Sequence, residues 1–485
     1  MQTSNELTPQ YERLAQAEHY LNAQKKPWDK RKDYMAGKQE LPYAPDGINA
    51  EYVALQEQSI ANWMSIAVEA PTQRLQVDGF RTDGTQDQDL GYWNEYWQPN
   101  KLDSRSSIVF TEMYVHGRGI MSVTASETSN TPKIRPESSR NVWLGSEPED
   151  PFTHTWAVKI MKPRKKLPES QLWVPSSYAM ATAEEQTAYV YDAQYWYEFV
   201  RRGTMGQWEY VNSGAHGLGR LPFVGFDYRV DSDGVPHSSI DSLIPQQDAM
   251  NTIRFNTLLA MQFSAYRQRV FTGYDPVVRD KNGKPLLRTN AAGELVLAED
   301  GQPIPVLNKP GRVGVDRALV FPGKDTKVFD LPESNLDNYI KVLQEFLTDF
   351  FATGQIPPQY MLSRMANLSG DALAGAESTL QSLVKSLKRS AGEALEDVLA
   401  LAHRAAGHKD EFKESEIVWA DTEPRSFAQI VDAVGKLIST GMSRQDAWSM
   451  LPGATPPKVD EWISRSDAEM QAQAEAISTA GKIPF

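Results

Sequence analysis

The sequence predicts an α+β protein interrupted by a small all-β insert, and three features of its apolar pattern predict this. Helical spacing fills the first 120 residues and returns after residue 332, whereas between residues 132 and 230 apolar side chains recur with a period of two. Between two long helical patterns lies a stretch whose turn signals come about every ten residues. No self-similarity at the period of repeat proteins accompanies these patterns.

In chain order, "TPQYERLAQAEHYLNAQ" (8–24) reads as a helix with Thr8 as cap, Pro9 in its first position and Tyr11, Leu14, Ala17 and Leu21 on one side. "NAEYVALQEQSIANWMSIAVEAPTQRL" (49–75) reads as one further helix using Leu55, Ile60, Trp63, Ile66 and Val68, running into a short strand, "LQVDGF" (75–80). "LDSRSSIVFTEMYVHGRGIMSV" predicts a helix that stops near Gly117 and hands over to a strand. "AYVYDAQYWYEFV" (188–200) alternates, with Tyr189, Tyr191, Ala193, Tyr195, Tyr197 and Phe199 on one face and Asp192, Gln194 and Glu198 on the other. "WAVKIMKP" and "LPFVGFDYRV" read as further strands.

The stretch "DAMNTIRFNTLLAMQFSAYRQRV" (248–270) contains neither Gly nor Pro, and it is apolar on two sides. Phe255, Leu259, Phe263, Tyr266 and Val270 follow one track, and Met250, Ile253, Met261 and Ala265 the opposite one. Such a helix needs two partners rather than one. Residues 274–331 then form the β insert, with Asn282-Gly283, Gly293 and Asp300-Gly301 as hairpin turns. "PESNLDNYIKVLQEFLTDFFATG" restarts a helix, with Ser334 and Asp337 as a capping box, a stripe through Leu336, Ile340, Leu343, Leu347 and Phe350, and Gly354 as its stop. The longest helical pattern begins at Ser369 or Asn367 and reaches Gly407, using Leu373, Leu380, Leu383, Leu387, Leu395, Val398 and Ala402, with Gly375 and Gly392 as expected bend points. After it, Ser426 with Gln429 and Ser443 with Asp446 cap two more helices, and the polar final stretch is expected to fray.

Composition narrows the function. The chain has 485 residues, no cysteine, and 63 acidic against 50 basic side chains, for a net charge of −13. Disulfides, thiolate metal sites and cysteine nucleophiles are therefore excluded, and a tight grip on a polyanion is disfavoured. No signal-peptide core or uninterrupted apolar span occurs, so a soluble, intracellular chain without a membrane role is expected. There is no phosphate-binding G-x-x-x-x-G-K-[ST], G-x-S-x-G or H-E-x-x-H; "GLGRLP" and "DSDG" read as turns, and His403 and His408 point to different helix faces. No cofactor, metal or catalytic residue is expected. The many aromatics of the α+β region, Trp93, Trp97, Trp156, Trp196 and Trp208 among them, leave one alternative, a carbohydrate-active or other hydrolytic enzyme built there.

The order of parts, with several local stretches, resembles the portal proteins of tailed double-stranded DNA phages, of the type found in long-tailed actinobacteriophages. Those stretches are "NWMSIAVEAPTQRLQVDGFR" (Asn62, Trp63, Arg74, Leu75, Gly79 and Phe80), "YVHGRGIMSV", "IDSLIPQQDAMNTIRFNTLLAMQFSAYRQRVFTG" and "IPPQYML…NLSGDALAGAESTL". The resemblance spans residues 10–465 and implies a portal architecture. Residues 1–239 would be an α+β wing, 240–273 and 333–354 the two stem helices, and 274–332 the clip. Residues 355–369 would hold the tunnel loop, 370–425 the long wing helix and return segment, and 426–485 the helical crown and tail.

It further implies a non-enzymatic homododecameric ring at one capsid vertex, assembled in the host cytoplasm and carried in the virion. Double-stranded DNA would be packaged and ejected through it. Its partners would be the terminase large subunit, the head–tail adaptor, and the major capsid and scaffolding proteins. Met361, Leu362, Ser363, Arg364, Met365 and Asn367 would line the channel. Phe255, Leu259, Phe263, Tyr266, Leu343 and Leu347 would pack between subunits. Arg254, Arg267 and Arg269 would guide DNA or form inter-subunit salt bridges. An acidic wall with few fixed phosphate grips would let DNA slide.

Overall fold

Local chemistry sets the limits of most elements in the computed structural model, which describes residues 7–43, 50–82, 90–126, 129–161, 185–203, 206–265, 269–272, 277–298, 301–307, 327–330, 336–357, 360, 370–408, 415–420, 427–451, 454 and 456–480. Its helices are α1 (Thr8–Ala36), α2 (Ala50–Ser59), α3 (Trp63–Thr72), α4 (Leu90–Tyr92, continued by a π-turn over Trp93–Trp97) and α5 (Leu102–His116). Then come α6 (Ile244–Ala265), α7 (Asp337–Thr353), α8 (Gly370–Ala405), α9 (Phe427–Ser439), α10 (Arg444–Ser449) and α11 (Pro456–Ala480). The strands are β1 (Val77–Thr82), β2 (Arg118–Thr124), β3 (Lys133–Glu137), β4 (Val142–Glu147), β5 (Asp150–Ile160) and β6 (Glu185–Tyr191). They continue with β7 (Tyr195–Arg202), β8 (Glu209–Ala215), β9 (Phe223–Asp227), β10 (Arg269–Thr272), β11 (Lys327–Asp330) and β12 (Ser415–Trp419). The class is α+β, and the chain divides into two units, Met1–Lys38 with Asn62–Ile244 and Phe350–Phe485, and Gln39–Ala61 with Pro245–Asp349.

In the first unit β4 to β8 form an antiparallel meander, neighbours in sequence being neighbours in the sheet. One face of α1 closes over it, packing Leu7, Leu14 and Ala17 on Trp156, Val158, Ala188, Val190, Tyr197 and Phe199. Tyr11 meets Phe199 edge-on at 4.9 Å and Tyr20 stacks on Trp143 at 4.6 Å. A second sheet, β3-β2-β9, packs under α5 and α8, so β2 is buried on both faces from Arg118 to Val123. Gly117 joins α5 to β2 at φ +85°; a Cβ there would come within 2.7 Å of the His237 carbonyl oxygen, so the turn admits no side chain.

Several expectations are corrected here. Helix α1 is not capped by Thr8: Leu7 holds the cap position without a side-chain bond, because that residue is buried in the sheet core. The helix also runs through Pro27 and ends at the left-handed Gly37. The stretch 49–75 is two helices, broken at 60–62, where Asn62 caps α3 by accepting the Ser65 N–H. The stretch 188–200 is a hairpin rather than one strand, because the Asp192 carboxylate accepts the N–H groups of Gln194 and Tyr195 and turns the chain. The single tyrosine face therefore dissolves: Ala188 and Val190 point inward on β6, and Tyr197 and Phe199 on β7. Gly375 and Gly392 lie inside one unbroken α8, and the left-handed residue after α7 is Gln355 rather than Gly354. The polar C-terminal stretch is helical to Ala480, as its Ala, Gln, Glu and Met content favours. Ser443 caps α10 as expected; Ser334 and Ser426 lie outside the described residues.

In the second unit the insert turns where the Asn-Gly and Gly signals predict. Asp280 and Asn290 each accept N–H groups two and four residues on, and Gly283, Gly293 and Gly301 take φ of 81°, 82° and 77°. The legs do not stay in simple hairpins, however. Val278 donates to Val306, Val306 to Leu286 and Leu286 back to Val278, and Arg288, Ile304 and Val296 repeat the ring one layer on. The result is a three-sided column. Pro285, Pro303 and Pro305 fall on the alternate, non-donating positions, so their missing N–H costs no bond.

Candidate functional site

The two helices flanking the insert carry apolar surface that the rest of the described chain leaves open. Along α6 the first turns are buried through Ile244, Gln247, Met250, Asn251 and Phe255, whereas Ile253, Leu258 and Leu259 are half-buried and Met261 is 50% exposed. On α7 the expected stripe is present, yet Tyr339, Ile340, Val342 and Phe346 lie open, Ile340 to 49%, and Leu343 and Leu347 are half-buried. Only the final turn is closed, where Phe350 and Phe351 are buried and Trp63 meets Phe351 edge-on. Among the described residues nothing covers this apolar face over several turns, and such a face is one that a partner surface can bury.

Of the residues expected to pack between subunits, Phe255 is thus buried within the subunit, and Leu259, Leu343 and Leu347 are half-buried. Phe263 lies on α6, though its side chain is outside the described residues, as are Tyr266, Arg267 and the side chain of Arg269 on β10. Met361, Leu362, Ser363, Arg364, Met365 and Asn367 also lie outside the described residues. The third arginine, Arg254, already uses its Nε–H within the chain, donating at 2.8 Å to the Ser59 carbonyl at the end of α2.

Sequence reasoning missed three polar clusters. Gln247 and Asn251, one turn apart on α6, hold the break between α2 and α3: Gln247 Nε2 donates to the Ala61 carbonyl (2.6 Å) and to Asn251 Oδ1 (3.0 Å), which also accepts the Ala61 N–H (3.1 Å). An i, i+4 pair of amides on a helix apolar on two sides was the available signal. The second cluster joins the three-stranded sheet of the first unit to its five-stranded one. Arg118 on β2 grips both oxygens of Asp227 on β9, His154 on β5 places Nε2 3.0 Å from the same carboxylate, and its Nδ1 is 3.0 Å from Ser146 Oγ on β4. Burial works to raise the Asp227 pKa, but the Arg118 charge and the bonds from His154 and Arg118 outweigh it and hold it at about 2. The carboxylate is therefore committed to a cross-sheet tie, even though a 390 Å³ cleft reaches His154 and Asp227 from the α8 side. His403 and His408, expected on different faces, instead stack with ring centres 4.4 Å apart; among the described residues no group of three or more His, Asp or Glu side chains could hold a metal ion, and no helix is long and apolar enough to cross a membrane.

A further convergence lies at the C-terminal end of α3. Arg74 donates through Nη1 to the Ala70 carbonyl (2.7 Å) and through Nη2 to the Tyr360 hydroxyl (2.9 Å), and the same Nη2 lies 3.8 Å from Glu377 on α8.

Comparison with known proteins places these features in a family. The family described as "Phage portal protein, SPP1 Gp6-like" matches residues 177–480. The portal protein of Mycobacterium phage D29 is 24% identical over 410 residues, covering 80% of this chain and 75% of that protein. That of Mycobacterium phage L5 is 23% identical over 417 residues, covering 82% and 76%. Among solved structures, a chain from the neck of an empty GTA particle, computed with C6 symmetry, matches 88% of this chain and 99% of its own length at 12% identity and a TM-score of 0.44.

Proposed function

The chain belongs to the SPP1 Gp6-like family of phage portal proteins, and from that premise we propose that it assembles as a homododecameric ring at one capsid vertex. The ring is the channel through which double-stranded DNA enters and leaves the head. The observation that carries the ring is the exposed apolar face of α7, with Tyr339, Ile340, Val342 and Phe346 open to solvent, together with the half-covered distal turns of α6. A neighbouring copy presenting the same pair of helices supplies the second partner that a helix apolar on two sides requires. The net charge of −13 suits a wall that DNA passes without being held.

In this reading residues 355–369 face the channel. The insert docks the terminase during filling and the head–tail adaptor afterwards, and the wing, residues 1–239, faces capsid and scaffold. The ring performs no chemistry of its own, and ATP hydrolysis belongs to the terminase. The native mass of the purified protein, with negative-stain images of the same sample, tests this. A particle of about twelve 54.4 kDa subunits with a central hole is expected. A monomer or dimer at every salt concentration tried would overturn the ring.

A further inference from the structure

Strand β9 is the free edge of the β3-β2-β9 sheet. The Pro222 carbonyl accepts the Val123 N–H at 2.9 Å and the Tyr228 N–H donates to the Gly117 carbonyl at 2.8 Å, so the even-numbered residues of this stretch turn their backbone groups to β2. Phe223, Gly225 and Asp227 turn theirs the other way, and no backbone hydrogen bond among the described residues uses them. Strand β5 lines the same 390 Å³ cleft with Phe152, Thr153 and His154, and it too is open there, because β6 pairs with it only from Ala157 onward. The cleft is in the size range of ligand sites. Its His154 and Asp227 side chains are already tied to each other, so what remains on offer is strand edge and rim.

The rim is acidic and partly apolar. On α8, Glu393 is exposed and has no ion pair among the described residues, and Asp397 is 55% exposed and shares Arg220 at 3.3 Å. The local excess of negative charge is felt by Glu396, whose pKa is raised by burial first and by the Glu393 and Glu416 charges next. Phe152 is 60% exposed at the same cleft. An open strand edge beside carboxylates admits a basic strand and repels an acidic one.

We propose that this cleft is a docking site for an extended segment of a partner protein, which adds a strand to β9 and carries Lys or Arg toward Glu393 and Asp397. The backbone groups of Phe223 and Gly225 supply affinity, and the α8 carboxylates with the Phe152 ring supply selectivity. The basic run of this chain at 25–32 is held in helix α1 and cannot add as a strand, so the occupant is a different protein. The site lies wholly in the first unit and does not depend on the ring.

The test uses the purified full chain and a fluorescein-labelled peptide of sequence TKVKVT, read by fluorescence anisotropy and by hydrogen–deuterium exchange. Saturable binding is expected, with slower exchange at the Phe223 and Gly225 amides. Replacing both peptide lysines by glutamate should weaken binding about tenfold, and Glu393→Lys with Asp397→Lys on the protein about fivefold. N-methylating the peptide amides of one edge and then of the other should leave one isomer about tenfold weaker. Because methylation keeps the charges, that loss separates strand addition from plain charge attraction. No saturable binding up to about 1 mM, or both methylated isomers binding like the parent, would overturn the proposal. Slower exchange at Phe223 and Gly225 on raising the concentration of the chain itself, without peptide, would also overturn it, since the occupant would then be a second copy.

Discussion

Helices α1 and α7 each carry an apolar stripe in sequence, the weaker one on α1, and the two stripes meet different fates in the chain. The stripe of α1 is spent inside the chain, Leu14 and Ala17 vanishing under the five-stranded sheet with Phe199 and Val190. The stripe of α7 is only half-covered until its last turn, with Ile340 and the flanking Tyr339, Val342 and Phe346 exposed. Amphipathicity therefore says that a helix has a partner and not where the partner is. A sheet built from the same chain supplies it for α1, and in the proposed ring a second copy supplies it for α7.

That contrast can be broken by mutation. The double substitution Ile340→Glu with Phe346→Glu is expected to abolish the ring, with native mass falling to the monomer, while the unfolding free energy of the subunit changes by no more than about 0.5 kcal/mol. A variant that unfolds, or that still forms rings, would place α7 in the same class as α1. Phe199→Ala should do the reverse. It opens the core under α1 and costs about 3–5 kcal/mol in urea unfolding, whether or not rings form. Asp227→Asn should cost about 3 kcal/mol by leaving Arg118 without its counter-charge between the two sheets, again with assembly changed only through stability.

The smallest effect is one of pH. His116 is mostly buried, stacked on Trp28 at 4.5 Å, and its pKa is pushed down to about 3, by burial first and by the Arg31 charge second, against the pull of Asp241. The folded state therefore resists a proton that the unfolded chain accepts near 6.5. The stability this contributes is complete above pH 6.5 and is lost at up to about 1.4 kcal/mol per unit as the pH falls toward 3. The Asp227 contribution disappears lower, between its ordinary 3.8 and about 2. Urea unfolding from pH 7.5 to 4.5 should show the first slope in wild type and its absence in His116→Gln; equal slopes would remove His116 as the cause.

Much of the fold was legible before the structure. The stripes of α1, α7 and α8, the stop at Gly117, the Ser443 cap and the three turns of the insert follow from side-chain periodicity and from backbone conformations few residues can adopt. The misreadings have specific sources. One strand over 188–200 became two because a single Asp192 carboxylate captured two N–H groups. One helix over 49–75 became two with Gln247 and Asn251, nearly two hundred residues away, holding the backbone of Ala61 at the break. The cluster at Arg74 was invisible for the same reason, its partners lying at positions 360 and 377.

Periodicity, capping and turn chemistry act within a few residues, so the chain alone announces its helices, its strands, the two apolar sides of α6 and the absence of nucleotide-binding and common catalytic motifs. Which apolar face is closed internally, which carboxylate meets which arginine, and that three insert legs bond in a ring depend on contacts between distant segments. Those are chosen by burial and hydrogen-bond satisfaction over the folded unit, which no local window of sequence contains.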